Sequence, residues 1–403
     1  MIKDAVIIAP DDSGLEKVFG IPNVRRLALL LPKIGINNIF LLTQSKSLIP
    51  VLSDLLPPTS FHLLQGPAEL DGALQKFPTL LQGRVLLLRA NTGIDKLTLA
   101  QFLEADRGSP LFQLPIADNA GAQGIYLAAG GHLAEVVQAL WSPAHPNRSD
   151  ALPQATFQRR FGLPALVGEK TGDAAICEER LIAALAAQTA QTDGFMSRHL
   201  DRKISQFFSR RLVRTKMTPN QVTLTGMSIG LLGALLLSSP GHWQRVLGSL
   251  LFVFCIIVDG VDGEVARLKV MDSRFGRYLD ITTDNLVHIA VFVGIAVGLY
   301  RETGSSLYLA ALWVLLGGFA CCALAVYKCI LCADPEVLKR SPKLLKLMKM
   351  VSNRDFAYLI ALLAIVDRLD WFLIGAALGT YIFAASMWYL SCRTQQRCST
   401  LRS

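Results

Sequence analysis

The pattern of hydrophobic and polar positions divides the chain near residue 192. Before that position, short apolar runs alternate with polar segments that contain proline and glycine. After it, the apolar runs approach the length of a transmembrane helix. The sequence therefore predicts an α/β domain over residues 1–192 and an all-α, six-helix transmembrane domain over 217–403.

The first half reads as alternating strands and helices around a largely parallel, Rossmann-type sheet. Strands are predicted at 5–9, 38–43, 61–64, 85–89 and 124–128. Helices are predicted near 22–34, 67–76, 97–104 and 131–141.

Six segments of the second half are candidates for spanning helices. They lie at about 221–239, 246–266, 280–300, 307–330, 355–367 and 371–391. The apolar run at 246–258 is too short to span a bilayer alone, so this helix has to continue through Asp259 and Asp262. The fifth segment is also short and is interpreted as one arm of a hairpin with the sixth.

Charge supports a membrane location. Of the 403 residues, 52% are hydrophobic and 18% are charged, fewer charges than soluble domains carry. Residues 1–192 hold 16 basic and 17 acidic side chains, whereas the remainder holds 24 and 14. Basic charge confined to the apolar half is typical of membrane loops and argues against nucleic acid as a partner.

Loop charge also predicts the topology. With residue 1 inside, 21 basic residues of the second half lie inside, and only Arg245, Arg301 and Arg368 lie outside. We therefore expect a multi-pass protein with both termini cytoplasmic and its active site at the cytoplasmic face. The first apolar run is short and is followed by acids, which does not fit a signal peptide.

An amphipathic segment precedes the first span. Within residues 193–216, the sequence SRHLDRKISQFFSRRLVR at 197–214 predicts a helix lying on an anionic membrane surface. Its apolar face comprises Leu200, Ile204, Phe207, Phe208 and Leu212. The alternative is a merely basic linker.

Four acids occupy the second and third spans. Asp259 and Asp262 are spaced i, i+3, and Asp280 and Asp284 are spaced i, i+4, so each pair projects from one helix face. The short turn at 268–276 makes the two helices antiparallel neighbours, so the two pairs face each other.

Placing four acidic side chains inside a membrane costs free energy, and positive charge is needed to offset the repulsion between them. One or two divalent cations would supply that charge, and all-oxygen ligands favour Mg²⁺ or Mn²⁺. Gly260, Gly263 and Gly276 leave room for a ligand. A purely structural ion-pair network is the alternative, but it lacks the cations that it would need.

The same residues resemble a known signature. Asp259, Asp262, Gly263, Ala266, Arg267, Gly276, Asp280 and Asp284 match D-x₂-D-G-x₂-A-R-x₈-G-x₃-D-x₃-D of the CDP-alcohol phosphotransferases at every fixed position. The sequence TPNQVT at 218–223 is similar to the entry motif of that family. The resemblance covers about residues 195–391.

The resemblance implies roles for these residues. Asp259, Asp262, Asp280 and Asp284 would be ligands of Mg²⁺ or Mn²⁺, with two ions bound, and Asp284 would also be the general base. The implied nucleotide pocket comprises Asn220, Thr223, Asp262, Gly263, Ala266, Arg267 and Gly276. A hydroxyl acceptor would attack the CDP-alcohol donor, and CMP would leave. The family is typically dimeric, which predicts a homodimer through the transmembrane domain.

Other residues of the second half have weaker assignments. Lys328 and Arg354 are candidates for binding an acceptor phosphate, the latter because Arg354-Asp355 resembles transferases that act on inositol phosphate. His288, one turn beyond Asp284, is interpreted as a packing histidine, with tuning of Asp284 as the alternative. The glycine pairs Gly226/Gly230, Gly294/Gly298 and Gly375/Gly379 permit close helix approach, within the bundle or between subunits.

The first half resembles a sugar-nucleotidyltransferase fold, through KIGINNIFLLT at 33–43. Two features of that fold are missing. The loop at 9–14 is short and acidic instead of Gly-rich, and Asn91 stands where a metal-binding Asp is expected. We interpret the domain as degenerate and catalytically silent, with a divergent cytidylyltransferase as the alternative.

These features predict an integral membrane transferase of phospholipid biosynthesis that uses a CDP-alcohol. CDP-diacylglycerol with a polar acceptor, or CDP-inositol with inositol phosphate in a di-inositol-phosphate synthase, would fit the same core. A catalytically silent scaffold is the alternative from another class. A transporter is disfavoured because the acids cluster at one membrane edge.

Overall fold

The computed structural model describes residues 2–63, 83–105, 111–115, 124–129, 132–141, 165–167, 173–189, 201–328 and 356–400, with positions 69 and 72. The chain forms two compact units. The first comprises Met1–Thr189, Val213–Lys216 and Arg267–Val270, and the second contains the rest.

The first unit is an α/β domain with a six-stranded sheet. Its sheet strands are β1 (Asp4–Ala9), β4 (Asn38–Thr43), β5 (Phe61–Leu63), β6 (Arg84–Arg89), β8 (Leu111–Pro115) and β9 (Gly124–Ala129). Short strands are β2 (Lys17–Val18), β3 (Ile21–Pro22), β7 (Thr92–Gly93) and β10 (Ala165–Leu166). The helices are α1 (Asn23–Leu30), α2 (Leu48–Leu52), α3 (Lys96–Glu104), α4 (Leu133–Trp141) and α5 (Asp173–Thr189).

The sheet has the order β5-β4-β1-β6-β9-β8, with parallel pairing from β5 to β6 and antiparallel pairing of β9 with β6 and β8. Central strand β1 is buried throughout. Ala5 and Ile7 contribute to the hydrophobic cluster that includes Leu27 of α1, while Val6 and Ile8 contribute to the cluster that includes Val136 of α4. This alternation places helices on both faces of the sheet.

The structure confirms an α/β first domain and shows what the pattern missed. Strand β8 was not predicted, because Gln113 and Pro115 interrupt its apolar run. It lies at the edge of the sheet, where proline at the end of a strand is tolerated. The antiparallel strands β8 and β9 make the sheet mixed. The helix predicted at 67–76 lies outside the described residues, apart from positions 69 and 72.

The first unit also includes the turn that follows Leu268. Val270 is buried in the same hydrophobic cluster as β1 and adopts a left-handed backbone conformation with φ +56. Its carbonyl accepts a hydrogen bond of 2.8 Å from Lys33 Nζ. A β-branched residue rarely takes this conformation, so the surrounding contacts have to hold it.

The thiol of Cys177 on α5 should be inert in the native protein. It is fully buried, and this burial raises its pKa to about 11. At pH 8 only about one molecule in a thousand then carries the reactive thiolate. We expect iodoacetamide to alkylate Cys177 at least ~100-fold more slowly than after unfolding in urea, with native labelling accelerating between pH 9 and 11. Mass spectrometry of the Cys177 peptide measures this, and equal native and unfolded rates at pH 8 would contradict the burial.

The second unit is helical. It contains α6 (Arg202–Leu212), α7 (Pro219–Leu237), α8 (His242–Leu268, of which the last two residues are counted with the first unit), α9 (Arg274–Thr303), α10 (Leu307–Val326), α11 (Phe356–Ile365) and α12 (Leu369–Thr400). Five of these, α7 to α10 and α12, are long and apolar enough to cross a membrane. Helix α11 has ten described residues, too few to span a bilayer alone. The described residues thus contain five candidate spans, where the sequence predicted six.

Glycine pairs allow close contact between α7 and α9. A Cβ at Gly294 or Gly298 would collide with the carbonyl of Ala234 or Leu237 on α7. Gly230 of α7 similarly faces Val287 of α9. These glycines therefore serve packing inside the unit. Gly375 and Gly379 differ, because no described atom lies within 4 Å of a Cβ built at either position.

Helix α6 forms within the segment predicted to be interfacial. Its buried residues are Ser205 and Ser209, whereas Phe207 is 52% exposed and its ring lies 4.6 Å from the Arg211 guanidinium carbon. Phe208 contacts the ring of Phe254 on α8 edge-on. The side of α6 that packs on the bundle is therefore partly polar. Leu200 lies outside the described residues.

Candidate active site

The acids are carried by two helices whose ends are locally determined. Helix α8 continues without a break through Asp259 and Asp262, as its short apolar run requires. Helix α9 starts earlier than predicted, because the side chain of Ser273 caps it by accepting a hydrogen bond of 2.9 Å from the Gly276 amide. Asp280 and Asp284 consequently lie in the second and third turns of α9.

Three of the four acids come together. Carboxylate oxygens of Asp259, Asp280 and Asp284 all lie within 4.8 Å of one another, and all three residues are partly buried. An all-carboxylate donor set at this separation fits Mg²⁺ or Mn²⁺, which are hard cations that prefer oxygen. The three charges repel one another at this range, so a divalent cation would stabilise the arrangement.

The fourth acid has a different partner. Asp262 is buried, and its carboxylate accepts a short hydrogen bond from the hydroxyl of Thr223 on α7. The Thr223 hydroxyl also lies 3.2 Å from the Pro219 carbonyl. Asp262 is thus oriented by α7, and it is not one of the three acids whose carboxylate oxygens lie within 4.8 Å of one another.

The start of α7 faces the start of α9. Thr218 and Gln221 form a capping box that fixes the first turn of α7. The side-chain oxygen of Asn220 lies 3.2 Å from the Cβ position of Gly276, so a larger residue at 276 would crowd it. The structure therefore brings Asn220, Thr223 and Gly276 to one end of the helices that carry the acids.

The remaining predicted pocket residues are near the end of α8. Gly263 and Ala266 are half-buried, whereas Arg267 is exposed. The Ala266 carbonyl accepts a hydrogen bond of 2.8 Å from the Met271 amide in the turn after α8. No described contact assigns these three residues to a nucleotide.

The acceptor candidates receive less support. Lys328 is exposed, and its Nζ lies 5.6 Å from the ring centroid of Trp388 on α12. Arg354 lies outside the described residues. The ring of His288 packs against Phe252 at 5.8 Å and Phe356 at 5.4 Å, an aromatic environment that fits a packing role.

One acid at the site was not anticipated. Glu264, a variable position of the signature, is 2% exposed and accepts hydrogen bonds from Arg202, Ser205 and Ser209 of α6. The signal was present in the sequence, because Arg202, Ser205 and Ser209 lie on one helix face. The amphipathic interpretation considered the apolar residues of α6 and overlooked this polar face.

In the first unit, acids occupy the end of β1. Asp12 accepts hydrogen bonds from the hydroxyls of Ser45 and Ser47, which lower its pKa below the ordinary value. Asp11 accepts from the Ser13 amide at 2.9 Å. Ionised carboxylates at this position would repel a phosphate. Asn91, which stands in place of an acid, is 1% exposed.

Comparison with known proteins adds independent information on the second half. A family model described as CDP-alcohol phosphatidyltransferase matches residues 216–388, which include the acids of α8 and α9. Residues 216–388 are a CDP-alcohol phosphatidyltransferase domain. The signature recognised in the sequence is thereby confirmed as that of this family.

The chain also aligns with curated relatives. Over 107 residues it is 38% identical to a bifunctional IPC transferase and DIPP synthase of Aquifex aeolicus, and this alignment covers 27% of the chain and 24% of the relative. Over 101 residues it is 35% identical to a phosphatidylinositol phosphate synthase of Mycobacterium bovis, covering 25% of the chain and 46% of the relative. The matches thus span less than half the length of either relative.

A solved structure is similar as well. The phosphatidylinositol phosphate synthase of Mycobacterium tuberculosis with CDP-DAG bound is 19% identical, with a TM-score of 0.32, and the match covers 48% of this chain and 92% of that one.

Proposed function

We propose that the protein is a membrane transferase that moves a phospho-alcohol group from a CDP-alcohol to an acceptor hydroxyl and releases CMP. The observation that carries the proposal is the cluster of Asp259, Asp280 and Asp284 inside a CDP-alcohol phosphatidyltransferase domain. The acceptor oxygen forms a bond to the phosphorus that bears the alcohol. The bond from that phosphorus to CMP breaks, and no covalent intermediate with the protein is needed.

Each acid has a role in this proposal. Asp259, Asp280 and Asp284 would hold Mg²⁺ or Mn²⁺, with Asp262 completing the ligand set on the side of Thr223. A bound divalent cation would neutralise charge on the pyrophosphate and on the departing CMP. Asp284 accepts the proton of the acceptor hydroxyl. Asn220 and Thr223 position the nucleotide, with Gly263, Ala266, Arg267 and Gly276 lining its pocket.

The donor defines two versions of the reaction. Similarity to a phosphatidylinositol phosphate synthase favours CDP-diacylglycerol with a polar acceptor, in phospholipid biosynthesis. Similarity to a bifunctional IPC transferase and DIPP synthase favours the second version, CDP-inositol with inositol phosphate. Wherever the acceptor carries a phosphate, as in the second version, basic residues would bind it, and Lys328 and Arg354 are the candidates.

The test is CMP release by the purified protein in detergent. CDP-diacylglycerol and CDP-inositol are compared across a panel of acceptors, each with Mg²⁺, with Mn²⁺ and with EDTA. We expect metal-dependent release with one donor and none in EDTA. A folded protein that releases no CMP from either donor would contradict the proposal and favour a scaffold.

We also propose that the first domain is catalytically silent. Its support is the acidic end of β1, where Asp11 and Asp12 replace a phosphate-binding loop. Incubation with CTP, inositol phosphate and Mg²⁺ is expected to release no pyrophosphate above the level without inositol phosphate. Release that requires both substrates would contradict this and identify a divergent cytidylyltransferase.

The proposed arrangement in the membrane places both termini and the active site on the cytoplasmic side. Its support is the excess of basic residues on that side, with Arg245, Arg301 and Arg368 on the other. Gly375 and Gly379, which face no described atom of the chain, are the proposed contact of a homodimer. Crosslinking of a Leu378→Cys variant in native membranes would test this contact, since Leu378 is 62% exposed beside both glycines.

A further inference from the structure

The carboxylate of Glu264 lies in the signature segment but on the other side of α8 from the metal candidates. At 3.6 residues per turn, its side chain is rotated by about 140° from Asp259 and about 160° from Asp262 around the helix axis. It is therefore no further ligand of the three-carboxylate cluster. The buried charge of Glu264 therefore has to be stabilised by other neighbouring groups.

These groups come from one helix. Glu264 Oε1 accepts hydrogen bonds from Arg202 Nη1 at 2.7 Å and Ser205 Oγ at 2.9 Å, and Oε2 accepts from Ser209 Oγ at 2.6 Å. All three donors belong to α6. Burying a carboxylate costs free energy unless such partners compensate it, so the charge is satisfied only while α6 stays docked.

Further contacts hold α6 in the same place. The hydroxyl of Tyr358 on α11 donates a short hydrogen bond to Asp201, the residue before α6. The Ser205 Cβ lies 3.9 Å from the Cβ position of Gly260, the neighbour of Asp259. Helix α6 thus packs on the side of α8 that carries Gly260 and Glu264, whereas the candidate metal ligands lie on another side of α8.

We infer that Glu264 is a positioning residue that uses α6 to fix the rotation of α8 and thereby keeps Asp259 aimed at Asp280 and Asp284. The inference rests on the proposed metal-dependent function. A small rotation of α8 would move Asp259 away from the two acids on α9, while the charge of Glu264 resists that rotation through bonds to three separate side chains. Partners behind metal ligands commonly change metal affinity 10–100-fold when they are lost.

The test is Mn²⁺ binding by the purified protein in detergent, measured by electron paramagnetic resonance of the free Mn²⁺. The variants are Glu264→Gln, which removes the charge but keeps an acceptor oxygen, and Ser205→Ala/Ser209→Ala, which keeps Glu264 and its pair with Arg202. Lys203→Ala on the exposed side of α6 and Ser228→Ala on the exposed side of α7 are the matched controls.

We expect the Mn²⁺ dissociation constant to rise about 10-fold in Glu264→Gln and in the double serine variant, and to stay at the wild-type value in both controls. A merely structural role would lower the unfolding temperature and leave Mn²⁺ affinity of the folded protein unchanged, which would overturn the inference. If Glu264→Gln fails to fold, the Mn²⁺ dissociation constant of the double serine variant provides the test. Wild-type protein that shows no Asp284-dependent Mn²⁺ binding would overturn the proposed function as well.

Discussion

Replacing Asp284 by asparagine is expected to lower the rate of CMP release by about three orders of magnitude, within the range measured for loss of a general base. Asparagine has the same size and keeps one oxygen, but it cannot accept the proton of the acceptor hydroxyl and carries no charge for a divalent cation. The measurement is the initial rate of CMP release with the preferred donor at saturating Mn²⁺.

Folding of this variant provides an independent readout. Asp284 lies within 4.8 Å of two other carboxylates, so removing its charge relieves repulsion in protein without metal. We expect metal-free Asp284→Asn to unfold at the same temperature as metal-free wild type, or at a higher one. Asp370→Asn, the same change in the first turn of α12, should leave the rate unaltered. Equal rates for Asp284→Asn and wild type would exclude Asp284 as the base.

Replacing Arg245 by methionine should have the largest effect on stability. Its side chain is 2% exposed and binds Glu302 through two hydrogen bonds of 2.6 and 2.9 Å and Asp367 through one of 3.0 Å. These bonds join the start of α8 to the end of α9 and to the turn before α12. Because both carboxylates reach solvent, we expect a loss of about 3 kcal/mol, the lower end for breaking a buried ion pair. Denaturant unfolding in detergent micelles measures it.

Arg368→Met is the matched control for Arg245. Its guanidinium carbon lies 5.6 Å from the ring centroid of Trp371, and the residue is exposed, so its loss should cost less than about 1 kcal/mol. The Arg245 variant should keep its CMP release per folded molecule, because Arg245 precedes Asp259 by about 21 Å along the helix. Equal stability of the two variants would show that the Arg245 network contributes nothing to folding.

The sequence was most informative about the acids of α8 and α9. The spacing of the four acids on α8 and α9 predicted that they would lie together, and the structure brings Asp259, Asp280 and Asp284 within 4.8 Å of one another. The continuation of α8 through Asp259 and Asp262 followed from bilayer thickness. The side-chain partners could not be predicted, because they depend on how three helices rotate against each other. That Asp262 binds Thr223 while Asp259 joins the acids of α9 requires the packed structure.

Other features were not predicted from the sequence, because rules based on residue patterns ignore the tertiary contacts of each position. A basic residue outside the membrane was counted as a loop charge, yet Arg245 is buried in an ion-pair network. Helix α6 was interpreted through its aromatic side chains, whereas Ser205 and Ser209 are the residues that it buries. Strand β8 has too few apolar residues to be recognised, and its place is set by pairing with β9. In each case a tertiary partner determines the outcome.

The position of the two charged clusters on α8 has a consequence for the surrounding lipid. Between Arg245 and Asp259 only apolar and small residues occur, and this stretch rises by about 21 Å, whereas hydrocarbon is about 30 Å thick. Such hydrophobic mismatch requires the bilayer to thin locally or water to enter at the acidic end. The three carboxylates would then lie at the depth of the first acyl-chain carbons, where a lipid-linked group from the side and a water-soluble molecule from the adjoining aqueous phase can meet.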